Sequence, residues 1–320
     1  MRYGISDINP PPKFMRILPL VLIALLIVPA PAWSWGNEGH RLIGDIAEAA
    51  LANTPNVMIR VRQIFGPGVR LRDLTVCADR IRDFVRDQGK NPIDPSCRPF
   101  VAKFSTPAGL LTRFAHSDRW HFINIPLDGH PHSMADVQSF CGPSLCAPER
   151  IEHYKDVLTR GTRPAIQAEA ILFLTHLVGD LHQPLHNAER NRDAGGNLVL
   201  VQIFGQEFNL HHVWDNEIII RMKTPQGVAL PTEAARSQFL VESLPDPGPF
   251  NPWQWSLDAF QLAGAVSYVN DGMPIPDVRQ LPGASLNSTT YLAAADTVTQ
   301  QQLRLAGVRL AAILREKFNR

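Results

Sequence analysis

The segment His176-Leu-Val-Gly-Asp180-Leu-His182-Gln-Pro-Leu-His186 places three imidazoles and a carboxylate within eleven residues. An imidazole and a carboxylate four residues apart on a helix point the same way. Neutral imidazole and carboxylate are also ordinary zinc ligands. Pro184 breaks the helix, so His186 can turn back toward the same place. His182 follows His176 by six residues, roughly 120° around a helix, and is expected to face elsewhere with a backbone hydrogen bond. A second pair at the same spacing, His211 and Asp215, lies in Asn209-Leu-His-His-Val-Trp-Asp. A lone His/Asp pair is commonly a surface or core hydrogen bond. Two pairs plus His186 in about forty residues point to metal-assisted chemistry.

The start of the chain bears on the same chemistry. Lys13 and Arg16 precede the apolar run Ile17 to Val28, and Pro29-Ala-Pro-Ala-Trp-Ser follows. Small residues at Ala32 and Ser34 fit signal-peptide cleavage before Trp35. The run is twelve residues long, short of the about twenty that a spanning helix needs. Residues 1–34 are therefore expected to be a signal peptide, with Met1 or Met15 as the start, and the mature protein to be secreted or periplasmic. Cleavage would free an α-amine five residues before His40. With a pKa of about 7.7–8.0, that amine can deprotonate and bind metal. Without it, His40 reads as a solvated residue on a first helical turn.

The 320 residues, 45% of them hydrophobic, suffice for one large domain or two small ones. Residues 1–34 carry Arg2, Lys13 and Arg16 against Asp7, which leaves the +1 chain at −1 beyond them. Such a protein has no global field to attract a polyanion. If it acts on phosphates, metal ions and a few arginines must supply the positive charge. Four cysteines at 77, 97, 141 and 146 suit disulfides in an oxidising compartment. Cys141 and Cys146 bracket Gly142 and Pro143 and would close a small loop, leaving Cys77 to pair with Cys97.

These residues must be positioned mainly by helices. Asn37 can cap a helix carrying Leu42, Ile43, Ile46, Ala47 and Ala50. Pro164 suits the first turn of a second, Ala165 to about Leu181. Others are expected from near Asn209 to Ile220, from Trp255 to Tyr268, and from Thr290 to Phe318. Pro- and Gly-rich loops fill 88–109, 126–148 and 223–253, and Leu198 to Phe204 with Phe208 suits a short hairpin. The expected fold is all-α: one mostly helical domain over 35–320, with long loops and at most a short β-hairpin.

Six motifs then occur in order: Trp35-Gly-x-x-Gly-His40, Ala78-Asp79, Trp120-His121-Phe122, the 176–186 segment, Gly195-Gly-Asn197 and Asn209-Leu-His211-x-Val-Trp-Asp215. Together they resemble the zinc-dependent single-strand nucleases of fungi and plants (the S-one/P-one type) and their bacterial relatives. The resemblance runs from Trp35 into Ala306-Gly-Val-Arg-Leu-Ala of the last helix. It implies an all-α domain with a trinuclear zinc cleft. Asp79, His121, His176 and Asp180 would hold one zinc. The amine and carbonyl of Trp35, with His40 and the bridging Asp180, would hold its neighbour. His186, His211 and Asp215 would hold the third. Eight side chains and an amine exceed one tetrahedral site, so the residue count agrees in kind.

The resemblance further implies hydrolysis of single-stranded DNA and RNA by a zinc-activated water. Asp79, Arg82 and Asp180 would be catalytic, with the Arg82 fork stabilising the transition state. Phe122, Asn124 and Asn197 would bind substrate, Phe122 by stacking an unpaired base. No stable protein partner is implied, and no membrane after cleavage. Read without the family, Arg82 would be a solvated helix residue and Phe122 a core phenylalanine. Asn124 stands where fungal members carry a base-contacting aspartate, and Cys77 where the family commonly has tryptophan. A zinc phospholipase C, sharing the superfamily, and a non-catalytic zinc-binding protein are the competing readings. Activity on single-stranded DNA against phosphatidylcholine separates the first, and absence of any hydrolysis would favour the second.

Overall fold

Helices account for most of the chain in the computed structural model, which describes Met1 and residues 35–129, 131, 133–142 and 146–319. The expected signal peptide lies outside the described residues. The central element is the helix Pro164–Leu181, with Pro164 in its first turn. Every residue from Ala168 to Leu181 is buried, as befits a helix apolar on all sides. Around it pack the first helix, Asn37–Ala50, the helix Ala147–Arg160 and the C-terminal helix, Thr289–Phe318.

Two apolar cores result. One gathers the first, central and C-terminal helices, including Leu42, Ile43, Leu177, Leu181 and Leu310. The other gathers Ile123, Leu185, Val201, Leu210, Trp214 and Phe260. The motif residues lie along the seam. His176 and Asp180 are flanked in sequence by Leu177, Val178 and Leu181 of the first core. His186, His211 and Asp215 are flanked by Leu185, Leu210 and Trp214 of the second.

The hairpin forms as Leu200–Ile203 antiparallel to Gln206–Asn209, with Ile203 opposite Gln206. Phe204 and Gly205 join the strands, both at positive φ, as a two-residue hairpin turn with strand-matching twist requires. Ala284–Ser285 adds a parallel strand, and Val269–Asn270 pairs with Met273–Pro274 as a separate ribbon. The second strand delivers Asn209, whose side chain accepts from the His212 amide and caps the segment carrying His211.

Some details differ from expectation. Gly36, not Asn37, occupies the cap of the first helix; Asn37 Oδ1 instead accepts from Arg80. The helix expected from Trp255 begins at Pro252, capped by Asn251, and widens to a π-turn over Ala263–Ser267. Short helices lie within or run out of the expected loops: Met134–Ser139 and Glu233–Val241 inside them, and Pro107–Arg113 at the end of the first. Thr106, Ser133 and Thr232 cap them through their hydroxyls, and these local bonds outweigh the Pro and Gly content around them. Both disulfides form, Cys77–Cys97 and Cys141–Cys146. The first anchors the start of the helix Cys77–Arg86, which carries Asp79 and Arg82. Cys77 is fully buried there, so a covalent bridge packs that position.

Candidate metal centre

Four side chains from three elements converge beside the central helix. His121 Nδ1 lies 3.0 Å from His176 Nε2 and 2.8 Å from Asp180 Oδ2. His176 Nε2 is 3.0 Å from the same oxygen and 3.3 Å from Asp79 Oδ1. His121 Nδ1 is 3.6 Å from Asp79 Oδ1. An ion with ligands at about 2.0–2.1 Å holds tetrahedral neighbours about 3.3 Å apart. These five separations bracket that value, so the donors lie close enough together to share metal ions. All four residues are buried.

Asp180 faces two ways. While Oδ2 meets His121 and His176, Oδ1 lies 3.3 Å from His40 Nε2. The His40 and His176 rings stack with centroids 4.0 Å apart. Trp35, one residue before the cap of the first helix, is fully buried. The next amide, Gly36 N–H, donates to Asp215 O at 2.9 Å. A Cβ on Gly36 would displace the Asn216 side chain and crowd Asp215 O at 3.0 Å, so glycine eases this approach. The chain start and the second His/Asp pair are thereby held together.

The remaining donors form a separate group. His211 Nε2 is 3.2 Å from His186 Nε2 and 3.3 Å from Asp215 Oδ2. Asp215 sits in a π-helical turn, Val213–Glu217. Gly195 adopts φ +64°, and a Cβ there would strike Leu185 O. In this conformation its carbonyl accepts from His211 Nδ1 at 2.7 Å.

That contact is one of a set. His176 Nδ1 donates to Thr75 O at 2.6 Å, and His186 Nδ1 to His121 O at 2.7 Å. Each bond fixes the tautomer and aims Nε2 at the neighbouring donors, the arrangement typical of metal-ligating histidine. His182 does face away: its Nδ1 donates to Val178 O and its Nε2 accepts from Arg309. These backbone acceptors carry no side-chain signature, and sequence reading misses them.

Arg82 is buried and no solvated helix residue. Its Nη1 lies 2.7 Å from Asp79 Oδ1, and its Nε is buried without a hydrogen-bond partner. Phe122, next to His121, is half-buried and belongs to neither apolar core. Asn124 is half-buried between the core residues Ile123 and Ile125. Asn197 uses its Nδ2 to bond Ala194 O at 2.8 Å, closing its own turn.

Electrostatics divide the two groups. Burial opposes ionisation of Asp79, yet Arg82 and His176 hold its carboxyl below the usual range. Burial likewise opposes the charge on His176, yet Asp180 and Asp79 push it up to about 10. Burial, with His176 beside it, takes His40 down to about 4. In the other group, burial takes His211 down to about 3, with His186 contributing. Burial raises Asp215 well above the usual carboxylate value. The donor sets fit divalent metal, since imidazoles and carboxylates converge among the described residues in three groups, His40/Asp79/His176, His121/His176/Asp180 and His186/His211/Asp215, and an ion would displace the proton that His176 holds.

The family model of the S1/P1 nucleases matches residues 35–319. Nuclease S1 of Aspergillus oryzae is 29% identical over 206 residues, 63% of this chain and 60% of that protein. Endonuclease 2 of Arabidopsis thaliana is 26% identical over 325 residues, 96% of this chain and 98% of that protein. Nuclease P1 of Penicillium citrinum is 29% identical over 137 residues, 41% of this chain and 49% of that protein. The chain thus spans 60% of nuclease S1 and about half of nuclease P1, but nearly all of endonuclease 2. With a family match over the whole described domain, and with that family's motif residues converging at one seam, the chain belongs to the S1/P1 nuclease family.

Proposed function

We propose that this protein is a secreted or periplasmic endonuclease that hydrolyses phosphodiester bonds in single-stranded DNA and RNA, with three zinc ions. The observation that carries the reading is the convergence of Asp79 and Asp180 on His121 and His176 at 2.8–3.6 Å, with the second Asp180 oxygen turned to His40. These residues would hold a zinc pair, joined by the amine and carbonyl of Trp35 on the His40 side. His186, His211 and Asp215 would hold the third. Zinc there supplies Lewis acidity toward phosphoryl oxygens and lowers the pKa of water.

The chain's own residues do the rest. Asp79 fixes the Arg82 guanidinium through Nη1, which sets its positive charge beside the metal donors, where it would stabilise phosphoryl oxygens whose charge grows in the transition state. Asp180 aligns the two donor sets from one carboxylate. Phe122 offers a ring face to an unpaired base, and a base held in a duplex cannot reach it. Asn124 can present donor or acceptor to that base, so discrimination among bases is weak. Asn197 shapes the turn beside Gly195 and His211.

Lipid phosphodiesters are not favoured as substrate, since the relatives are named nucleases and endonucleases. The two disulfides suit an oxidising compartment, and no helix among the described residues is long and apolar enough to cross a membrane. The test is hydrolysis by the zinc-loaded mature protein of single-stranded DNA, duplex DNA and phosphatidylcholine. Rapid cleavage of the single strand is expected; cleavage of the lipid alone would overturn the reading. Export processing would complete the site. A verified Met-Trp35 terminus should lose most activity, and wild-type activity from it would remove Trp35 from the ligand set.

A further inference from the structure

Gln183 stands between two residues of the metal centre, Asp180 and His186, and is fully buried. Its Nε2 donates to Asp215 Oδ1 at 2.7 Å. Its Oε1 accepts from the Leu185 backbone amide at 2.5 Å. The amide orientation is fixed by chemistry: the Leu185 N–H can only donate, so Oε1 must face it and Nε2 must face Asp215.

Each of these bonds acts on a different member of the His186/His211/Asp215 group. The bond to Leu185 caps the single 3-10 turn Pro184–His186, which sets where His186 leaves the central helix. The bond to Asp215 occupies Oδ1 and leaves Oδ2 toward His211 Nε2, 3.3 Å away. The third member, His211, is held from elsewhere, by Gly195 O. One side chain therefore orients two of three donors that come from segments about thirty residues apart in sequence.

We infer that Gln183 is the positioning residue of the third metal site: its amide presents Asp215 as a one-oxygen ligand while holding the turn that carries His186. The inference rests on the three-metal reading of the centre. A Gln183→Glu substitution keeps the shape and the acceptor for Leu185, but removes the donor and sets a second carboxylate against Asp215. Outer partners of this kind contribute about ten- to a hundredfold to metal affinity.

The neighbouring His182 provides the contrast, because its two ring nitrogens bond Val178 O and Arg309 and no member of that group. The experiment is zinc release from the purified mature protein into a chromophoric chelator, with zinc per chain counted for wild type, Q183E and H182N. Retention of two zincs by Q183E at a chelator concentration where wild type and H182N keep three is expected. The third dissociation constant of Q183E should rise ten- to a hundredfold, with circular dichroism unchanged. Wild-type affinity in Q183E overturns the inference, as does equal zinc loss in H182N, which would reduce the effect to a loosened turn. Wild type holding fewer than three zincs would instead overturn the three-metal reading. An unfolded Q183E would be replaced by Q183M, which also lacks the donor and carries the same expectation.

Discussion

The donors around Asp180 and those around Asp215 are the same kinds of side chain, but their charges are balanced in opposite ways. Around Asp180, two carboxylates face three imidazoles and the Arg82 guanidinium, and both carboxyls lie below their usual range despite burial. This group neutralises itself through ion pairs. Around Asp215, burial dominates: the carboxyl is pushed up and His211 is pushed down to about 3. The neutral amide of Gln183 bonds one oxygen of the Asp215 carboxyl there, and the other faces His211 Nε2 at 3.3 Å. A cation is what makes an ionised Asp215 tolerable at that depth. The first group balances its own charge within the fold, whereas an ionised Asp215 in the second would need a cation beside it.

Removing charge should therefore have unlike consequences. Asp180→Asn strips a carboxylate from partners that remain charged and buried. Activity is expected to fall on the order of a thousandfold, and stability by about 3 kcal/mol or more. Asp215→Asn replaces a carboxyl whose ionisation burial already opposes. It should cost about ten- to a hundredfold in affinity for one zinc and leave the stability of the metal-free protein nearly unchanged. Urea denaturation of both variants, with and without zinc, checks this contrast. Equal stability loss in the two would erase it.

The substrate side should be separable from both groups. Phe122→Ala is expected to weaken binding of single-stranded oligonucleotides by about 1–3 kcal/mol, roughly ten- to a hundredfold, with zinc content intact. Kinetics on four homopolymers would show it as a common rise in KM. Unchanged kinetics would make Phe122 a merely structural ring.

Much of this is legible in the sequence for a physical reason. His176/Asp180 and His211/Asp215 are written in helical spacing, and Pro164, Pro184 and Asn209 mark the ends of the elements that carry them. The convergence of Asp79 and His121 on His176 joins elements far apart in the chain, and spacing alone does not encode it. The family resemblance points to that convergence. The charge difference between the groups is not legible, since it depends on which carboxylate lies near Arg82. Nor are the carbonyl anchors of His176, His186 and His211, which are main-chain atoms without a side-chain signature. The helices that lie within or run out of the expected loops are hidden by Pro and Gly content, although Thr106, Ser133 and Thr232 mark their starts.

The smallest expected effect concerns His182, the histidine of the motif that joins neither group. Burial and Arg309 take its pKa down to about 3, against about 6.5 in the unfolded chain. Below pH 6.5 the unfolded state takes up a proton that the folded state refuses. Stability is therefore lost as pH falls through that window, at up to about 1.4 kcal/mol per pH unit. The His182→Asn variant has no imidazole to titrate and carries no such loss. The stability advantage of wild type over this variant should thus narrow from pH 7.5 to pH 5, read as a closing gap in thermal midpoints. A gap that stays constant would mean that His182 takes up its proton as readily in the folded protein as in the unfolded chain.

The central claim is that two unlike donor groups together hold three zincs for phosphodiester hydrolysis. It is tested most directly by elemental analysis of the mature protein during stepwise chelation, with activity on single-stranded DNA measured at each step. Three zincs per chain at full activity, with activity falling as they are removed, is the expected result. Full activity with a single zinc per chain would contradict it.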